Sequence, residues 1–380
     1  MRTSATGLCL AVWIAGAADA HEPTLSRFNY REHVRPLFLR HCGGCHYPGG
    51  VAPMSLLDYQ EAVPWANAIK LSLLERRMPP FLPSDDDGPF RDARTLTAHE
   101  LDTLLDWAVG ATPEGETLAA EESPSPPGPP EADLLLRAPS DVVLEKDDPE
   151  KTACVLLPTG LADSRLVTGL EVFAGQPSIL RRATILVGDS CSDGEPLATW
   201  LPDRGRVSFP EGLGRRLDAS SSLVLELRYK KRWGDEGKRV LDRSALGLWF
   251  SKDAVPVRSV AIEKLRLDLD EAVRLVALYA TSADEPPLRV EAVAPDGTTR
   301  RLLSIERFDP AWNEKYFFHT PSPRARRSAS RTPAYGRISP TRRRARTSHD
   351  PPRDRSALRR PGRSGLDGRV LRRATVPVRS

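Results

Sequence analysis

At 380 residues the chain exceeds what one hydrophobic core usually holds, so two or three domains are expected. An apolar fraction of 40% excludes a chain disordered throughout, while 35 prolines call for loops and linkers. The net charge of +4 hides an asymmetry: residues 322–380 carry 18 Arg, no Lys and no Glu against three Asp, a net +15, which leaves −11 on residues 1–321.

The first twenty residues read as a secretory signal: Arg2 at the start, a short apolar run from Gly7 to Ala18, and Ala18-Asp19-Ala20 as a cleavage site. That run is too short to cross a bilayer, and nothing later is long and apolar enough, so no transmembrane segment is expected. Cys9 lies inside this segment. Cys42, Cys45, Cys154 and Cys191 remain beyond it. The last two could pair in an oxidising compartment, but the sequence leaves their geometry open.

Residues 22–112 have the pattern of a small helical unit. Asn29 and Glu32 fit an N-cap leading into Val34, Leu37 and Phe38, with Pro36 counting against a straight helix. A second helix is expected from Pro64, with Trp65, Ile69 and Leu73 on one face. A third opens at the capping box Thr97 to Glu100, shows Leu101, Leu104, Leu105 and Ala108 at helical period, and stops at Gly110. Residues 113–131 read as a Glu- and Pro-rich linker. From 132 to 318 short β-rich runs recur between turn signals, at 141–144, 154–157, 166–173, 183–187, 222–229, 245–250, 257–262, 273–279 and 289–293. This argues for one or two β-sandwiches. The Arg-rich tail at 322–380 lacks apolar periodicity and is expected to be disordered.

One motif carries chemistry. Cys42-Gly-Gly-Cys45-His46 has the spacing of covalent haem attachment. Two thiols separated by two residues reach neighbouring vinyl groups, and the adjacent His46 falls beneath the iron as an axial ligand. A thioredoxin-like pair would need a βαβ context, and a zinc site a second nearby cysteine pair; neither is present. For the opposite axial position the expected ligand is Met78, in Arg76-Arg-Met-Pro-Pro80. Met54 is short of the required reach, His41 abuts the motif, and His33 and His99 read as surface helix positions. His21 could bind copper only with a partner that the sequence does not offer. A His/Met pair raises the reduction potential and favours electron transfer. An apolar pocket is expected from Phe28, Leu37, Phe38, Trp65, Leu105 and Trp107.

These residues support a family resemblance. Residues 28–112, through Val34-Arg-Pro-Leu37, Cys42–His46, Ala52-Pro-Met-Ser-Leu56, Trp65 with Ala68-Ile69, Arg76–Pro80 and Leu105–Ala111, resemble the bacterial cytochrome c domain that precedes copper type II, ascorbate-dependent monooxygenase-like domains. Residues 132–318 resemble the monooxygenase-like part, related to peptidylglycine monooxygenases. They do so through Leu156-Leu-Pro158, Leu170-Glu-Val172, Ser222–Tyr229, Asp242–Phe250, Pro295-Asp-Gly297 and Phe308–Tyr316. The resemblance implies two copper centres built from His and Met. Here the positions of the His pair are Arg181 and Arg182, the third ligand falls at Arg228, and the later His-x-His falls near Ala277-Leu278-Tyr279. Guanidinium has no lone pair to donate, so copper is not expected.

The expectation is therefore a multidomain chain: signal peptide 1–20, small all-α cytochrome c domain 22–112, linker 113–131, a degenerate, jelly-roll-like monooxygenase β-sandwich 132–255, a partial second β-sandwich 256–321, and a disordered tail 322–380. Arg without Lys, beside Ser, Pro and Gly, is also what a shifted reading frame of a GC-rich gene produces, so the tail is a candidate frameshift product. The expected function is one-electron transfer by haem c in the periplasm or another exported location, with a redox partner protein and no nucleic acid. The rivals are a haem-coupled copper monooxygenase and a haem-based sensor or structural module.

Overall fold

The computed structural model describes residues 25–84, 88–116, 131–262, 267–269, 274–280, 288–293, 297–319, 336–339 and 372–377. The expected signal peptide and most of the expected linker lie outside them. Among the described residues the fold is mostly β-sheet, with a few short helices at the N-terminal end. No helix among them is long and apolar enough to cross a membrane.

The first helical stretch begins where the Asn29 side chain accepts from the Glu32 amide. It runs through a wide π-helical turn at Tyr30–Val34 and continues as helix α1, Arg35–His41. Pro36 sits in the first turn of α1, where its missing N–H costs least. The second helix departs from expectation. It starts five residues before Pro64, as α2 (Tyr59–Ala62), because the Asp58 side chain caps the Glu61 amide. Pro64 then forces a 3₁₀ turn at Val63–Trp65 before α3, Ala66–Leu74. Helix α4, Ala98–Val109, carries the expected reciprocal Thr97–Glu100 capping box and ends at Gly110. These helices enclose a core of Tyr30, Val34, Phe38, Leu56, Ile69, Leu73, Leu104 and Trp107. Leu37 belongs to it, and Trp65 and Leu105 pack against it. Phe28 does not; it meets the His33 and His99 rings edge-on.

Two sheets face each other in the β region. One is four-stranded and antiparallel, in the order Glu150–Pro158, Ser222–Lys230, Leu180–Val187, Glu195–Trp200. The other is nine-stranded and includes Leu134–Arg137, Ala245–Phe250, Arg165–Phe173, Leu213–Leu217 and Val255–Ile262. Their inner faces share one core, with Leu157, Ile185, Leu225 and Leu227 from the first sheet against Leu170, Leu246, Leu248 and Val257 from the second. Cys154 and Cys191 are joined by a disulfide, with Cα atoms 6.0 Å apart.

A second core forms around the strands Leu288–Val293 and Thr299–Ile305, with Leu278, Leu303, Ile305, Tyr316 and Phe318 at its centre. Phe90 is part of it and Phe81 packs against it, so the chain between α3 and α4 reaches across to the β region. Isolated bridges from Pro83 to Ile305 and from Phe90 to Phe318 fix that crossing.

The tail departs from the expectation of disorder at two places. Gly336–Ser339 pairs with Leu267–Leu269 and Leu288–Val293. Arg372–Pro377 runs between Val255–Ile262 and Ala277–Ala280. The second segment contains Thr375 and Val376, residues suited to strands. Backbone groups of the two flanking strands gain partners that an open edge would lack.

Candidate functional site

The Cys42–His46 motif starts at the C-terminal end of α1, where the Cys42 and Gly43 amides both donate to the Phe38 carbonyl, at 2.9 and 2.7 Å. The chain then turns back on itself, with the Cys45 and His46 amides donating to the Cys42 carbonyl at 3.1 and 2.9 Å. Two glycines are required by close approach. A Cβ at Gly44 would fall 2.5 Å from the Asp203 Cβ, and one at Gly50 would fall 2.5 Å from the Cys45 carbonyl oxygen. The turn is thus pressed against a loop of the β region that follows the strand Glu195–Trp200.

Both motif cysteines are free thiols and half-buried. Burial pushes the Cys42 thiol up to about 12. Burial first, and then the Asp203 carboxylate, raise Cys45 to about 12 against the opposing pull of Arg94 and Arg181. His46 is only 9% exposed, and burial lowers its pKa, partly offset by a hydrogen bond to the Met54 carbonyl. That contact, from Nδ1, measures 3.1 Å. A carbonyl only accepts, so Nδ1 carries the hydrogen, and the neutral ring keeps its lone pair at Nε2. This is the tautomer that a metal-ligating imidazole needs.

The other histidines near the motif are engaged elsewhere. His41 Nε2 meets Glu100 at 3.2 Å, and His33 Nδ1 accepts from the Asn29 amide at 3.3 Å. Met78 is half-buried on the loop after α3, with its amide 3.3 Å from the Ser72 carbonyl and a cis bond to Pro79. Met54 packs against the helical core. Among the described residues, no group of three or more His, Cys, Asp or Glu is placed to hold a metal ion.

A buried charge cluster beside the motif is not legible in the sequence. Arg94 meets Asp203 at 2.5 Å and Glu314 at 2.9 Å, and Arg204 meets Glu314 at 2.5 Å. Each of these pairs joins residues more than a hundred positions apart in the chain, and each residue reads by itself as an ordinary surface charge. Two further contacts tie the helical unit to the β region. Arg181 donates to the Val51 carbonyl, and Trp65 stacks on Trp233 with ring centroids 6.2 Å apart.

Arg182, Arg228 and Tyr279 stand at positions expected from the sequence to correspond to copper ligands. Arg182 and Arg228 are cross-strand partners. Arg182 is buried and donates to the Pro310 carbonyl at 2.8 Å and to the Tyr279 hydroxyl at 3.3 Å. Arg182 thus links its own strand to Tyr279 on the strand Ala277–Ala280.

No family model matches the chain, and no curated protein matches it. Among solved structures, the major capsid protein P2 from bacteriophage PM2 aligns at 10% identity over 64% of this chain and 95% of that one. Its TM-score is 0.23, too low to carry an argument about fold or activity.

Proposed function

We propose that the chain is an exported c-type cytochrome that transfers single electrons to and from a redox partner protein. The observation that carries this reading is the set of groups at one turn: two free thiols at Cys42 and Cys45, and a buried His46 whose Nδ1 is committed to the Met54 carbonyl. The donor chemistry fits haem c. The thiols suit thioether attachment, and the free Nε2 suits an axial bond to iron. Bound haem supplies a one-electron Fe(III)/Fe(II) couple.

The chain's own groups do the rest. Met54 fixes the orientation of the imidazole through its carbonyl and thereby holds the proton at Nδ1. Were haem bound, His46 through its free Nε2 and Met78 would be the residues that hold its iron. The small helical unit at 22–112 serves as the cytochrome domain. The β-sandwich that follows is read as a monooxygenase-like, jelly-roll-like domain whose copper ligands have been replaced. Arg182 supports that replacement: its guanidinium is committed to Pro310 and Tyr279 and offers no lone pair.

The test is a pyridine haemochrome assay and metal analysis of protein exported from a host with cytochrome maturation machinery. One iron per chain with thioether-linked haem is expected. Copper alongside iron would favour the monooxygenase reading. Carbon monoxide binding to the reduced protein without displacement of Met78 would favour a sensor.

A further inference from the structure

We propose that the loop 201–206 of the β region is a latch over the Cys42–His46 turn, which restricts access to the Cys45 thiol when closed and frees it when lifted. The loop lies against the middle of the turn. A Cβ at Gly44 would fall 2.5 Å from the Asp203 Cβ and 2.7 Å from its Cα. Asp203 is also the carboxylate whose charge reaches Cys45, alongside the opposing charges of Arg94 and Arg181.

The loop is not fastened to the turn itself. Among the described residues, the hydrogen bonds of the turn run within the helical unit: to the Phe38 and Cys42 carbonyls, from the Ala52 and Leu56 amides, and between His46 and the Met54 carbonyl. The loop is held instead by two neighbouring residues of opposite charge. Asp203 pairs with Arg94 on the segment between α3 and α4. Arg204 donates to both carboxylate oxygens of Glu314, at 2.9 and 2.5 Å, and to the Asp92 carbonyl at 2.6 Å.

The surface that receives these two clips is itself an ion pair. Arg94 donates to Glu314 at 2.9 Å, and their side chains are only 9% and 8% exposed. A buried pair is costly to break when a bare charge stays behind. Lifting the loop leaves none behind: Arg94 and Glu314 keep each other, while Asp203 and Arg204 pass into water. Two discrete arrangements, each with its buried charges paired, are what a latch requires. The claim concerns access to a thiol and stands whichever group the Cys42–His46 motif holds.

The test is iodoacetamide alkylation of the full chain purified without haem, with the Cys154–Cys191 bridge intact, followed at Cys42 and Cys45 by peptide mass spectrometry. Arg204→Gln undoes one clip and leaves Glu314 paired with Arg94. Losing a cation would by itself disfavour the thiolate, so a faster reaction in this variant reports access. Gly44→Ala keeps all four charges and sets a methyl group against Asp203. Native Cys45 should react roughly a hundredfold slower than in the urea-unfolded chain, as expected of a locally closed segment. Each variant should react about tenfold faster than the native chain, the worth of one charged hydrogen bond. These rates should stay nearly flat up to about 1 M urea, because lifting one loop exposes little surface, whereas global unfolding responds steeply. The proposal is overturned if native Cys45 reacts as fast as in the unfolded chain, if either variant reacts at the native rate, or if the rates climb with urea as global unfolding does. No haem is present in the sample, so the outcome is separate from that of the haemochrome assay.

Discussion

The Arg182 guanidinium donates to the Tyr279 hydroxyl at 3.3 Å, and so joins two positions that the proposed monooxygenase-like reading would give to copper ligands. A permanent cation at that point repels a metal ion and fixes the strands Leu180–Val187 and Ala277–Ala280 to each other. The native protein, dialysed against copper and then against buffer, should retain none at stoichiometric level. Arg182→Ala would strip a partner from the buried Tyr279 hydroxyl and from the Pro310 carbonyl, at a cost of about 1–3 kcal/mol. Chemical denaturation would read that loss. One equivalent of copper retained by the native chain would contradict this account of the β region.

Glu100 gives α4 a pH dependence whose direction can be worked out. The Thr97 amide, followed by the His41 and Thr97 side chains, holds its carboxyl down to about 2. A carboxylate with a lowered folded pKa contributes stability that is fully present above its unfolded value. That contribution is lost as the pH falls through about 2. The stability difference between native protein and Glu100→Gln should therefore be present in full just above about pH 4.5 and shrink below it. Thr97→Ala should cost about 1 kcal/mol, the usual worth of an N-cap. Urea denaturation across that pH range checks both.

The Cys154–Cys191 bridge closes a loop with a sequence separation of 37 residues. Loop-closure entropy gives such a link up to about 4 kcal/mol, within the 2–5 kcal/mol seen for native bridges in small domains. The double variant Cys154→Ser, Cys191→Ser should destabilise the β region by that order, read as a lowered unfolding midpoint. The visible spectrum of the purified protein should not change, because neither cysteine of the bridge belongs to the Cys42–His46 turn. Differential scanning calorimetry and absorption spectroscopy on the same samples separate the two effects.

The two methionines make different predictions. Met78→Ala should lower the midpoint potential by on the order of 0.1 V, within the ~0.8 V span that axial ligands cover. It should also open the reduced protein to carbon monoxide. Met54→Ala keeps the backbone carbonyl that orients His46, so the potential should move far less. Potentiometric titration of both variants decides between them, and the reverse order of effects would reassign the ligand.

Local chemistry is what the sequence displayed best. The Thr97–Glu100 capping box and the strand 245–250 were legible to the residue, because caps and alternating apolar runs are local signals. The strand over 166–173 was found to within one residue of its observed start at Arg165. Other strands were hidden by their own composition. Glu195–Trp200 contains Pro196, and Leu213–Leu217 carries Gly214, Arg215 and Arg216, so neither shows plain alternation. Helix α2 was missed because Pro64 drew the expected start forward, past the Asp58 cap. At the candidate site, Cys42, Cys45 and His46 stand within five positions, so the turn that gathers them was a local signal. Their surroundings were not. The contacts of Arg94, Asp203 and Glu314 exist only once the β region has folded against the helical unit, and no short-range pattern announces them.

The most direct measurement is the visible spectrum of the mature protein after denaturation and acidic acetone extraction, with Cys42→Ser, Cys45→Ser as control. Haem absorbance should stay with the native polypeptide and be absent from the double variant. A colourless native protein, made alongside working cytochrome maturation machinery, would contradict the assignment of these thiols and of His46.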